Sequence, residues 1–185
     1  ILIGPTHSAY LKISEGCDRV CAFCAIPGIR GRFQSRSPGS VLAEARQLAG
    51  AGVRELNLVA QDATAFGKDR TGRPDLAGLL RALDDVEGLD WIRPLYLYPT
   101  AVSEELIAVL GGGRRVLPYV DVPLQHASDA VLRAMKRGAT EARQRTLVER
   151  LRAGIPNLTL RTTFIVGFPG ETDADFERLL QFVRD

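Results

Sequence analysis

Short apolar runs of strand character alternate with amphipathic helical segments five times along the 185-residue chain. The strand-like runs span residues 10–14, 55–60, 91–98, 119–123 and 159–166. Five strand–helix units in series predict a parallel sheet with right-handed crossovers. A doubly wound open sheet and a TIM-type barrel, whole or partial, both have this pattern, and periodicity does not choose between them. Both place ligands at the carboxyl ends of the strands, so the loops there are the expected site.

Residues with capping and helix-breaking properties predict where the helices begin and end. Ser37 and Pro38 are placed to begin the first long helix, and Ser103 to cap the third. Gly138 interrupts the fourth helical region, and the fifth is predicted to begin at Thr172 or the residue after it.

Composition is that of an ordinary globular domain, with 45% hydrophobic and 25% charged residues. A net charge of +2 gives no strong field for nucleic acid. Neither a signal peptide nor an apolar run of the roughly 18 residues needed for a membrane helix is visible, so a cytoplasmic protein without a membrane partner is predicted. Because the chain starts at Ile1 and stops inside a helical pattern at Asp185, we expect residues 1–185 to be one core domain of a longer protein.

The three cysteines of the chain, Cys17, Cys21 and Cys24, lie together directly after the first strand. Three thiolates on one loop can hold three irons of a cubane 4Fe-4S cluster, leaving the fourth iron open to a chelating ligand. A structural zinc site would need a fourth ligand, from His7 or His126. An ordinary electron-transfer cluster would need a fourth cysteine, and inert buried thiols would need no regular spacing.

The cysteine spacing, with Phe23 just before the last cysteine, is typical of radical S-adenosylmethionine enzymes. The segment around it, AYLKISEGCDRVCAFCAIPGIRGRFQSRS, resembles the methylthiotransferase family of that superfamily. The resemblance continues through LNLVAQDATAFGKD, WIRPLYLYP, YVDVPLQHASDAVLRAMKRGAT and LRTTFIVGFPGET, and so covers nearly the whole chain. Ala-Gln-Asp at 60–62 and Gln-His-Ala-Ser at 125–128 differ from the Gly-Gln-Asn and Gln-Ser-Gly-Ser of the tRNA-modifying branch. They favour the branch that modifies a ribosomal protein.

The resemblance implies an incomplete TIM-type barrel, with its first five βα units in this sequence. It implies a 4Fe-4S cluster on Cys17, Cys21 and Cys24, with S-adenosylmethionine chelating the open iron. A 5′-deoxyadenosyl radical then removes hydrogen from the β-carbon of an aspartate in a small-subunit ribosomal protein, and a methylthio group replaces it. Family members carry a second 4Fe-4S cluster on an N-terminal domain and end in a TRAM domain, both expected outside this sequence.

The resemblance also implies partners: the ribosomal-protein substrate and a reductant such as flavodoxin or ferredoxin. Two other functions stay open at this point. One is methylthio transfer to a tRNA adenosine, and the other is a non-catalytic iron–sulfur module.

Besides the cysteines, six residues are predicted to contact the cofactors: Phe23, Gln61, Gln125, Arg137, Arg161 and Gly167. Gln61 ends the second strand and could accept a hydrogen bond from the methionine amine, although a strand-end cap is the alternative. Gln125 is placed to reach ribose hydroxyls. Arg137 and Arg161 are candidates for the methionine carboxylate, since arginine suits planar bidentate recognition. Gly167 lets the backbone approach an adenine.

Overall fold

The computed structural model describes residues 5–185. Its strands are β1 (Ser8–Lys12), β2 (Ser14–Glu15), β3 (Gln34–Ser35), β4 (Glu55–Val59), β5 (Trp91–Pro94), β6 (Tyr119–Asp121) and β7 (Thr159–Arg161). Its α-helices are α1 (Ile26–Arg30), α2 (Pro38–Gly50), α3 (Lys68–Thr71), α4 (Leu76–Asp84), α5 (Glu104–Gly112), α6 (Asp129–Ala134), α7 (Glu141–Gly154) and α8 (Asp173–Arg184).

Parallel strands follow one another around the fold in chain order. β4 lies between β1 and β5, with Ser8 opposite Glu55 and Glu55 opposite Trp91, while β6 pairs with β7. The two groups meet where Ile92 bridges Val116 and where the Leu97 amide donates to the Asp121 carbonyl at 2.8 Å. A doubly wound sheet reverses its strand order at a switch point. These strands do not reverse, so the structure confirms the partial barrel.

Alternate strand residues face the helices and form the core. Leu11, Leu58, Ile92 and Val120 are fully buried there. Burying a side chain of this size contributes about 1.5–3 kcal/mol, so this layer fixes which strand face points away from the helices. The opposite face carries polar side chains and is the open interior of the partial barrel. Among residues 5–185, no helix combines the length and apolar character needed to cross a membrane.

The predicted helix starts are confirmed. The Ser37 hydroxyl accepts a hydrogen bond from the Ser40 amide, and that of Ser103 accepts one from Leu106. Thr172 caps α8 in a reciprocal capping box with Asp175. Each of these oxygens satisfies an amide that the first turn of a helix leaves without a backbone acceptor.

The largest differences from the predicted strand lengths are in β5 and β7. The run 91–98 was expected to be one strand, but β5 ends at Pro94 and the chain turns through Tyr96, whose φ is 59°. Proline has no amide to extend a ladder, and a positive φ reverses the local backbone direction. The run 159–166 is regular only to Arg161, although Phe164 still bridges Gln125.

Candidate functional site

The cysteine loop is closed by a small hairpin that the sequence did not predict. β2 and β3 pair antiparallel, and residues 16–33 form the loop between them. The Cys17 amide donates to the Gly31 carbonyl at 3.2 Å, and the Asp18 carboxylate accepts from the Phe33 amide at 3.2 Å. These contacts hold the start of the loop against its end, so the cysteines lie on a loop whose two ends are joined by hydrogen bonds.

Gly16 is a residue of the cysteine loop that the sequence analysis did not single out. Its φ is +74°, and a Cβ at this position would lie 2.2 Å from the Arg32 carbonyl oxygen. Only glycine fits such a close approach of two backbone segments. Its signal in the sequence was a glycine directly before the first cysteine.

The three thiols differ in burial and in their hydrogen-bond donors. Cys17 is buried, whereas Cys21 and Cys24 are half-buried. The Arg19 amide donates to Cys17 Sγ at 3.4 Å, and Arg137 Nη1 donates to Cys21 Sγ at 3.3 Å. Burial raises the pKa of the Cys17 thiol. Holding that sulfur as a thiolate therefore needs compensating positive charge, which iron would supply if bound there.

The geometry does not favour the zinc alternative. His126 is fully buried, its Nδ1 accepts from the Ser128 amide at 2.9 Å, and its Nε2 lies 3.3 Å from Glu171 Oε1. The His7 carbonyl contacts the Arg54 amide beyond the amino end of β1, whereas the cysteine loop follows the carboxyl end.

Two amide oxygens at the carboxyl edge of the sheet are buried without a partner in the part of the chain that the structure describes. They are Oε1 of Gln61, just after β4, and Oε1 of Gln125, after β6. Gln125 is locked in place because its backbone amide donates to Thr163 at 2.9 Å and its backbone carbonyl accepts from Ile165 at 2.8 Å. A buried polar atom without a partner costs about 1–3 kcal/mol, so each oxygen is suited to accept a hydrogen bond from a ligand.

Arg137 is buried with only 6% of its surface exposed. Besides the thiol of Cys21, its guanidinium donates to the Pro123 carbonyl at 2.7 Å and lies over the Tyr98 ring at 4.5 Å. The structure thus places this arginine against a cysteine sulfur of the loop, whereas the sequence suggested the methionine carboxylate as its partner.

Arg161 lies on the open face of the sheet, directly opposite Asp121 in the β6–β7 register. Its Nη1 donates to Asp121 Oδ1 at 2.9 Å, and the carboxylate raises the pKa of the guanidinium. Asp121 is fully buried and also accepts from the Tyr96 amide at 3.1 Å. The Arg161 side chain keeps 53% of its surface exposed, so donors remain for a ligand.

Gly167 and Phe23 have fewer contacts. Gly167 has a φ of +72°, and a Cβ at this position would meet nothing within 4 Å, so backbone conformation rather than space favours glycine there. Phe23 is 39% exposed on the cysteine loop. Both therefore present surface that a ligand could cover.

A polar network that the sequence did not indicate joins the cysteine loop to the ends of two strands. The Arg19 side chain donates to Asp62 at 2.8 Å and lies 3.8 Å from the centre of the Tyr98 ring. Thr64 also donates to Asp62. Asp62 belonged to the strand-end motif but had no clear role, and here it anchors the loop.

Comparison with known proteins agrees with this geometry. Residues 11–183 match the family described as the Radical SAM superfamily. A protein of Geotalea uraniireducens named ribosomal protein uS12 methylthiotransferase RimO is 50% identical over 98% of this chain and 40% of its own length. A protein of the same name from Sorangium cellulosum is 52% identical over 97% of this chain and 38% of its own. This chain therefore spans about two fifths of these relatives.

A solved structure shares the fold. It is the radical S-adenosylmethionine methyltransferase TsrM from Kitasatospora setae with tryptophan substrate and an S-adenosylmethionine analogue bound. The TM-score is 0.76 at 20% identity, over 97% of this chain and 34% of that one.

Proposed function

The chain belongs to the Radical SAM superfamily, and we propose that it is the core of an enzyme that methylthiolates an aspartate β-carbon of a small-subunit ribosomal protein. The substrate assignment is supported by relatives named uS12 methylthiotransferases that are 50% and 52% identical. It agrees with the two sequence motifs that differ from the tRNA-modifying branch.

One observation carries the proposal. A loop of three cysteines lies at the carboxyl edge of a partial barrel, where two unpartnered amide oxygens, of Gln61 and Gln125, also lie. The donor set fits a 4Fe-4S cluster, because three thiols leave one iron free for a chelating cofactor. The orphaned oxygens fit a cofactor that carries an amine and hydroxyl groups.

When bound, the cluster and S-adenosylmethionine supply one-electron chemistry that removes a hydrogen atom from an unactivated carbon. The chain's own residues bind and orient these groups. Cys17, Cys21 and Cys24 ligate iron, Gln61 accepts from the methionine amine, and Gln125 accepts from ribose hydroxyls.

The remaining contacts of this proposal use exposed groups. Arg161 binds the methionine carboxylate with the donors that Asp121 leaves free, since a guanidinium has five N–H donors. Gly167 lies against the adenine, and Phe23 lies beside the bound cofactors.

The partners of the proposed reaction follow from its chemistry. A cytoplasmic flavodoxin or ferredoxin delivers the electron, and the ribosomal protein enters as substrate. The second cluster, as the sulfur source, and a TRAM domain belong to parts of the protein outside this sequence.

A labelled peptide tests the function. The chain is reconstituted anaerobically with iron and sulfide, reduced, and given S-adenosylmethionine with a uS12 peptide deuterated at the aspartate β-carbon. We expect deuterium in the 5′-deoxyadenosine product, measured by mass spectrometry. Transfer from a tRNA adenosine instead would assign the tRNA-modifying reaction. A cluster whose spectrum does not change when S-adenosylmethionine is added would indicate a non-catalytic iron–sulfur module.

Gln61→Ala is expected to weaken S-adenosylmethionine binding roughly ten- to hundredfold, because a hydrogen bond to a charged or metal-bound group contributes about 1.5–3 kcal/mol. Titration of the reconstituted chain measures the affinity. Since Oε1 accepts no hydrogen bond within the described residues, the melting temperature should not fall. Gln47→Ala, on an exposed position of α2, is the matched control. Normal affinity together with a lowered melting temperature would make Gln61 a strand-end cap.

A further inference from the structure

Arg137 is a buried cation without a carboxylate partner. No Asp or Glu oxygen lies within 4 Å of its guanidinium nitrogens in residues 5–185. Arg19, Arg93 and Arg161, by contrast, each form an ion pair with a carboxylate. Its neighbours are the Cys21 sulfur, the Pro123 carbonyl and the Tyr98 ring. Burying an unpaired charge is costly, so such groups are normally matched by an opposite charge.

Among these neighbours, the Cys21 sulfur is the one that would carry negative charge as a ligand of the cluster. A 4Fe-4S cluster held by three thiolates has a net negative charge, and one-electron reduction adds one further negative charge. A guanidinium that donates to one of those sulfurs therefore stabilises the reduced form more than the oxidised form. Net charge and hydrogen bonds to the sulfurs are among the factors that set the potential of such clusters.

Tyr98 fixes this arginine in place. Its hydroxyl donates to the Arg137 carbonyl at 2.8 Å, and its ring lies against the guanidinium groups of both Arg137 and Arg19. The Met135 carbonyl accepts from the Ala22 amide at 3.0 Å, which docks the same segment on the cysteine loop. Contacts to its main-chain carbonyl, to its guanidinium and between its segment and the cysteine loop thus fix the position of this arginine.

We propose that Arg137 is a positioning residue whose charge, held against Cys21 by Tyr98, raises the reduction potential of the cluster. The inference rests on the proposed function only in requiring that the cysteine loop binds a 4Fe-4S cluster. It assigns to Arg137 a role that precedes cofactor binding, in place of the methionine carboxylate contact that the sequence suggested.

The test is a potentiometric titration of the reconstituted chain without S-adenosylmethionine, followed by electron paramagnetic resonance. Arg137→Gln should lower the reduced-to-oxidised ratio at a fixed potential at least tenfold, which is 59 mV for a one-electron couple. Arg137→Lys keeps the charge and should shift the ratio less. Tyr98→Phe loses the hydroxyl contact, whereas Tyr98→Leu also loses the ring, so the shift should be larger for leucine. Arg81→Gln, which removes an exposed arginine of α4, controls for net charge.

The potentials and the affinities together distinguish a charge effect on the cluster from a contact with the cofactor. The proposal is supported if the potential falls more for Arg137→Gln than for Arg137→Lys, and more for Tyr98→Leu than for Tyr98→Phe. If Arg137→Gln does not fold, the potentials of Arg137→Lys and Tyr98→Leu decide the question. Potentials equal to that of Arg81→Gln overturn it. Weakened S-adenosylmethionine binding at an unchanged potential also overturns it, and returns Arg137 to the methionine carboxylate. If the unsubstituted chain binds no cluster, the proposed function itself fails.

Discussion

Cys24→Ala should abolish the 4Fe-4S cluster, with iron and sulfide content falling to background after anaerobic reconstitution. Three thiolates leave no spare ligand, so loss of one leaves two irons without a protein ligand in place of the single open one. The same result is expected for Cys17→Ala and Cys21→Ala. Iron analysis and the visible absorption spectrum measure the outcome.

The effect should not come from unfolding. Cys24 is half-buried on the surface loop, and such substitutions change the free energy of unfolding by about 1 kcal/mol or less. For a chain of this size that is roughly 2–4 °C in melting temperature. Val20→Ala, a 74% exposed position on the same loop, is the control and should retain full iron. A Cys24→Ala protein with full iron content and a spectrum that responds to S-adenosylmethionine would disprove the cluster assignment.

The strands, the helix starts and the cysteine loop were predicted from patterns of residues close together in the sequence. The apolar alternation located all five parallel strands, because burying one strand face against the helices stabilises the fold. Ser37, Ser103 and Thr172 predicted helix starts, since a cap acts within three residues. The cysteine loop was found from spacing alone.

What the sequence did not predict depends on contacts between distant residues. Arg137 donates to a sulfur 116 positions away, and Arg19 meets Asp62 across 43. The carboxylate opposite Arg161 is visible only once the register of β6 and β7 is known. The β2–β3 hairpin has two residues in each strand, too short for a period-two pattern. An arginine in the sequence does not indicate which acceptor it will contact, because the fold decides which acceptors come within its reach.

Gly16→Ala should destabilise the chain and empty the cysteine loop together. A positive φ costs an L-residue about 1–2 kcal/mol. The new Cβ would also lie 2.2 Å from the Arg32 carbonyl oxygen, so backbone must move, at a further cost of ~1–3 kcal/mol. The sum is roughly 2–5 kcal/mol, or on the order of 4–20 °C in melting temperature. Because Cys17 is the next residue, the same movement displaces a cluster ligand, and iron content should fall too.

Gly31→Ala separates the two costs. Gly31 lies in the same loop with a φ of +73°, but a Cβ at this position would have no neighbour within 4 Å. The alanine variant therefore has the conformational cost without the collision, about 1–3 kcal/mol because a ψ of −162° at positive φ is adopted almost only by glycine, and should keep its iron. Calorimetry and iron analysis of both variants measure the difference. Equal melting temperatures and equal iron contents would show that the loop tolerates the collision, and that the approach of Gly16 to Arg32 does not position the cluster ligands.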